Sequence, residues 1–122
     1  MIKLTFCLKR LPHLSREQFQ AYWRNTHGPL VASVADTLKI RRYVQLHSVP
    51  AELSAPLAAS RGAPDDFDGV AELWFDSLEV VAANGAREEA RQAAALLLAD
   101  ERKFIDLARS PLWWGEEHVV VG

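Results

Sequence analysis

Residues 69–75 read Gly-Val-Ala-Glu-Leu-Trp-Phe, and a strand with that sequence is apolar on both faces. Val70 and Trp74 point one way, and Ala71, Leu73 and Phe75 the other, because successive side chains alternate across a strand. A sheet built on this strand needs cover on two sides. In a small α+β protein, the helices that connect the strands cover only one. The other face calls for a partner surface, most simply the same sheet of a second copy. Three further stretches read as strands. Ile2, Leu4, Phe6 and Leu8 alternate with Lys3, Thr5, Cys7 and Lys9. Residues 39–49 set Ile40, Val44 and Leu46 against Arg41, Tyr43, Gln45 and His47, and residues 113–121 make a last strand.

Helix signals fall between these strands. Ser15 with Gln18 forms a capping box, Glu17 suits a first turn, and Phe19, Tyr22, Trp23 and Thr26 recur at helical spacing, which predicts a helix over residues 16–26. His27-Gly28-Pro29 interrupts it, and Pro29 opens a second helical piece over residues 30–37. Residues 50–68 hold three prolines and an acidic tip, and are long enough to be a lid, a binding loop or a short helix. Ser77 and Asn84-Gly85 frame a helical turn, and residues 87–98, rich in alanine and leucine, have the best helix propensity in the chain. The order β, α, β, β, α, β predicts an α+β, ferredoxin-like βαββαβ domain spanning residues 1–122, with one antiparallel sheet and its helices on one face. Two such sheets packed face to face give the expected homodimer, a dimeric α+β barrel.

Fourteen Lys and Arg against 16 Asp and Glu leave no basic excess to neutralise phosphates, so nucleic acid is not an expected partner. A lone Cys7 excludes an internal disulfide, and the four histidines, at 13, 27, 47 and 118, do not pair at metal-binding spacing, so no metal is expected. No signal peptide and no membrane span is legible, so the expected location is the cytoplasm.

His27 is the most informative titratable residue. Behind an aromatic run and at the expected helix break, it is either a partly buried general acid or base, or a helix cap whose ring bonds free carbonyls. Asp100-Glu101 supplies a carboxylate to orient it, or is a solvated helix end; Asp106 is anchored by Phe104 and Ile105. Tyr43 and His47 share one strand face and point at a cavity or an interface. Glu116 and His118 share a face of the last strand, with Glu72 nearby, and read as a polar cluster at the dimer seam. Adjacent Trp113 and Trp114 fall on opposite faces, one under the helices and one at the interface or a pocket mouth.

Tyr22-Trp23 with Thr26-His27-Gly28-Pro29, Asp100-Glu101 with Phe104-Ile105-Asp106, and the segment from Ser110 to Val121 together resemble the EthD family, named for ethyl tert-butyl ether degradation, of the dimeric α+β barrel superfamily. The resemblance implies the ferredoxin-like subunit and the sheet-to-sheet dimer. Similar superfamily members include polyketide cyclases, a methylmuconolactone isomerase, quinone-forming monooxygenases and haem-handling enzymes, and it places His27 in a pocket. The expected function is cofactor-free proton transfer (cyclisation, isomerisation or dehydration) on a hydrophobic aromatic or carbonyl metabolite. His27 would be base or acid, oriented by Asp100, Asp106 or Tyr43, in a pocket shaped by Tyr22, Trp23, Trp74, Phe104 and Trp113. The alternatives are a non-catalytic binding or accessory protein to an oxygenase, and a haem-binding monooxygenase-like protein.

Overall fold

The computed structural model of the chain describes residues 1–50 and 52–122. Four strands, β1 (Ile2–Leu8), β2 (Arg42–His47), β3 (Gly69–Phe75) and β4 (Leu112–Gly115), form one antiparallel sheet in the order β2-β3-β1-β4. That order is the ferredoxin-like one, with the first and third strands central. Helices α1 (Arg16–Tyr22), α2 (Gly28–Leu38) and α5 (Glu88–Glu101) connect the strands, α3 (Ser54–Ala59) lies in the long 50–68 connection, and α4 (Leu78–Asn84) follows β3. Ser15 caps α1 through the expected capping box, and Ser77 caps α4 by accepting from the Val80 amide. Asp68 anchors the end of the long connection. Its buried carboxylate accepts from the Arg10 amide at 2.8 Å and is ion-paired with Arg10 and Arg16.

The strand alternation holds. Ile2, Phe6 and Leu8 of β1, and Ala71 and Phe75 of β3, are buried under the helices, while Lys3, Thr5 and Cys7 pair on the opposite face with Trp74, Glu72 and Val70. Two apolar clusters fill the helix side. One gathers Ile2, Val31, Leu38 and Phe75 with Ala90, Ala93 and Leu97 of α5; the other gathers Phe6, Leu8, Phe19, Trp23, Phe104 and Ile105. Tyr43 and Leu73 pack against both.

Three differences from the sequence reading bear on the site, while β2 (42–47 rather than 39–49) and α2 (28–38 rather than 30–37) differ only at their ends. The chain does not break at His27-Gly28-Pro29. Residues Trp23–His27 form a π-helical turn that runs directly into α2, and the Gly28 amide donates to the Trp23 carbonyl five residues back. Pro29 has no amide to donate, so the ladder loses a bond there whichever helix type precedes it, and one widened turn carries the helix through. The second difference is α5, which runs three residues beyond the expected end and so includes Asp100 and Glu101. The third is β4, which stops at Gly115, so Glu116 and His118 lie past the strand rather than on it. They are strongly exposed and 3.9 Å apart; Glu117, not the expected pair, lies near Glu72, sharing Lys3 with it.

Candidate active site

The helix side of the sheet holds a cavity of about 370 Å³ where the two apolar clusters meet. Leu4, Phe6, Leu73, Phe75 and Trp114 line it from the sheet, Trp23 and His27 from the π turn, and Leu97 and Glu101 from α5. Trp23 and His27, four residues apart, share this wall, as helical spacing requires. Gly69 sits against the Trp23 ring: a side chain there would land on the indole and 2.7 Å from the Leu46 carbonyl oxygen. Glycine therefore lets the tryptophan lie flat against β3. His47 stacks on the same indole at 4.4 Å, outside the cavity.

His27 is buried at 5 % exposure, and its Nδ1 lies 2.7 Å from Asp100 Oδ2. The second carboxylate oxygen of Asp100 accepts from the Tyr22 hydroxyl at 2.6 Å. Asp100 is itself only 6 % exposed, and Phe104 closes the back of the group, its ring 5.0 Å from both the imidazole and the phenol. A carboxylate at Nδ1 accepts a hydrogen bond from the Nδ1–H and so fixes the tautomer with the lone pair on Nε2. Among the described residues Nε2 has no hydrogen-bond partner, and the ring faces the cavity.

The charges follow from these contacts. Burial pushes His27 below the ordinary imidazole value despite the opposing pull of Asp100, which favours the neutral ring. Asp100 is raised by burial, but the hydrogen bonds from Tyr22 and His27, with Lys103 adding its charge, outweigh this and hold it below the ordinary carboxylate value. The Tyr22 phenol, donating to that carboxylate, is pushed up to about 12. Glu101, next in the chain, lines the cavity, and no hydrogen bond or ion pair to its carboxyl forms among the described residues. Burial, reinforced by the Asp100 charge and opposed by Arg102, pushes it up to about 7.

The expected site residues divide accordingly. His27, Asp100, Tyr22 and Trp23 come together, but Tyr22, bonded to Asp100, and Phe104 lie behind the imidazole rather than on the cavity wall where they were expected. Tyr43 lines the cavity but does not orient His27; its hydroxyl accepts from Gln45 Nε2 at 2.9 Å, and burial raises the phenol. Asp106 lies apart, its carboxylate 4.0 Å from Arg109 and its carbonyl accepting from the Ser110 hydroxyl. Trp74 and Trp113 are on the other face of the sheet, since Trp74 pairs with Lys3 and Arg42 and Trp113 with Thr5. The Lys3 and Arg42 cations lie 5.1 Å and 4.7 Å from the Trp74 ring, and its indole N–H donates to Glu117. Trp114 is the pocket tryptophan, its ring edge-on to Phe75 at 5.4 Å. Gln45 is not among the expected site residues, and Glu101, expected only as part of an orienting or solvated carboxylate pair, lies on the cavity wall. The signal for Glu101 was present: Ala90, Ala93, Leu97 and Asp100 continue one helical stripe that turns this end of α5 inward.

No curated protein matches the chain. Solved structures do. An EthD family protein from Bacillus halodurans is 19 % identical with a TM-score of 0.62, over 97 % of this chain and 100 % of that one. An EthD-like protein from Ralstonia eutropha is 21 % identical with a TM-score of 0.61, over 98 % and 92 %. A Bacteroides fragilis protein described as dimeric, of unknown function and with a ferredoxin-like fold, is 13 % identical with a TM-score of 0.59, over 95 % of each chain. At these identities the likeness establishes the fold. The EthD domain pattern matches residues 11–108, most of the sequence, and the chain belongs to the EthD family.

Proposed function

We propose that this protein is a cofactor-free enzyme that moves a proton on a small hydrophobic aromatic or carbonyl metabolite, in a reaction of the isomerisation, cyclisation or dehydration type. The observation that carries the reading is the bond between Asp100 and His27 Nδ1 at the wall of an apolar cavity. A carrier needs only the cavity, and a histidine serving as a helix cap would bond backbone carbonyls. Here the imidazole is held by a buried carboxylate, neutral, with Nε2 left for a ligand. Asp100 fixes the tautomer and stabilises the imidazolium once Nε2 has taken a proton, and Tyr22 and Phe104 hold that carboxylate in place away from water.

Two copies of the chain are proposed to pack through the outer sheet face, where Leu46 and Trp113 remain 58 % and 50 % exposed. The test of the chemistry is the exchange of the α-protons of 2-tetralone in deuterated buffer, followed by proton NMR. The protein should accelerate exchange over buffer, and His27→Ala should lose about 100-fold or more of that acceleration. An unchanged rate in His27→Ala overturns the reading.

A further inference from the structure

Five polar side chains line the cavity: His27, Tyr43, Asn84, Arg91 and Glu101. Two are committed to the fold, since Asn84 donates to the Leu38 carbonyl at 2.8 Å and Arg91 to the Gly85 carbonyl at 3.0 Å. Tyr43 accepts from Gln45, whose amide nitrogen also donates to the Trp23 carbonyl and whose oxygen contacts His47 Nε2 at 2.8 Å, so the phenol is fixed and its own hydrogen is free to point inward. Among the described residues neither a hydrogen bond nor an ion pair reaches the Glu101 carboxyl. The nearest charge on its own helix is the Asp100 carboxylate, and a second negative charge beside it in apolar surroundings is costly. Its exposed neighbour Arg102 pulls the other way and does not prevail, and Glu101 in turn raises Tyr43 across the cavity. The carboxyl therefore keeps its proton into the neutral range.

We propose that Glu101 is the acid partner of His27, donating its proton to the carbonyl oxygen of a neutral, enolisable aromatic ketone while Nε2 removes the α-proton. This rests on the role for His27 proposed above and adds the substrate class. The α-carbon–hydrogen electrons become the enol double bond, the carbonyl π pair takes the Glu101 proton, and the α-proton resides on His27. Return of the two protons gives exchange if the carbon is the same one, or an isomer if the imidazolium reprotonates the far carbon of a conjugated dienol. No proton or electron is lost, and no oxidant is needed. A ligand that carries its own carboxylate or phosphate would add an anion to a largely apolar cavity beside the ionised Asp100, which favours a neutral ketone.

The test is the pH profile of 2-tetralone exchange. In wild type the rate should fall as pH rises through about 7, where Glu101 loses its proton. Glu101→Gln, close to isosteric, should slow exchange about tenfold or more, abolish that high-pH fall and leave tetralone affinity unchanged; Glu101→Asp should recover part of the rate. A Glu101→Gln protein that exchanges at the wild-type rate, or keeps the wild-type high-pH limb, overturns the inference. Where His27→Ala is inactive but Glu101→Gln is not, only the role of Glu101 falls; where wild type accelerates no exchange, both readings fall.

Discussion

Replacing Glu101 with glutamine should stabilise the fold at pH 8 and leave it almost unchanged at pH 4.5. In the folded protein the carboxyl is held at about 7 against an ordinary 4.5, so the native state binds this proton more tightly than the unfolded chain does. That contribution is fully present below 4.5 and is lost as pH rises through 7. At about 1.4 kcal/mol per unit the full difference is about 3 kcal/mol, and water at the cavity mouth reduces it to about 1–3 kcal/mol. Glutamine does not titrate, so the offset between the two proteins should grow across that interval and stay constant above it. His27 works in the opposite sense: its folded value lies below 6.5, so the unfolded chain binds more protons just under 6.5, and stability falls as pH drops through that window. Wild type should therefore show two opposing slopes near pH 6, and Glu101→Gln should uncover the histidine slope, to which His47, also lowered by burial, adds in the same sense. Urea unfolding at pH 4.5, 6, 7 and 8 reads both. A constant offset across that range, or none, would refute the claim that the cavity wall holds this carboxyl protonated.

Asp100→Ala leaves the Tyr22 hydroxyl and the His27 Nδ1–H without their acceptor, at about 1–3 kcal/mol each, so chemical denaturation should show a loss of about 2–6 kcal/mol. Asp100→Asn should be milder in stability but should populate the other His27 tautomer, visible in nitrogen-15 NMR; a ring still protonated only on Nδ1 would argue against the carboxylate as its orienting group. On the outer face, wild type should sediment as a dimer in analytical ultracentrifugation and Trp113→Glu as a monomer; a monomeric wild type, or a variant that still dimerises, would remove this sheet face from the interface.

Much of the fold was legible because strand alternation and capping residues are local signals. The Ser15 box, the inward run from Ile2 to Leu8 and the two-faced strand at residues 69–75 each stand where their spacing put them. The site was legible in part. His27 and Trp23 could be paired by helical spacing, and the turn that carries them was misread because a glycine–proline step looks the same in sequence whether the helix stops or widens by one residue. Choosing which tryptophan enters the pocket depended on the parity of β4, and that is set by its pairing: Leu4 faces Trp114 and Thr5 faces Trp113. Trp74 looked like a pocket residue by composition, yet its flanking cations come from two other strands, 32 and 71 positions away along the chain.

The two adjacent carboxyls at the end of α5 carry the chemical argument furthest. Asp100 and Glu101 differ by one methylene and one position, and their intrinsic acidities are nearly the same. What separates them is donors. Asp100 turns toward a phenol and an imidazole, each giving it a hydrogen bond, and stays ionised although little of it is open to water. Glu101 turns toward hydrocarbon with no donor, and the charge already on Asp100 makes its own ionisation harder. The first ionisation thus helps to suppress the second, and one helix end presents a fixed anion behind a base beside a carboxyl that retains its proton near pH 7. Pairs of titratable groups driven apart in this way allow acid and base to coexist at one pH. With Tyr22→Phe, Asp100 loses its second hydrogen bond and its acidity moves back toward the ordinary value, yet it stays ionised near pH 7, so the electrostatic pressure on Glu101 should persist and its high-pH limb should not move.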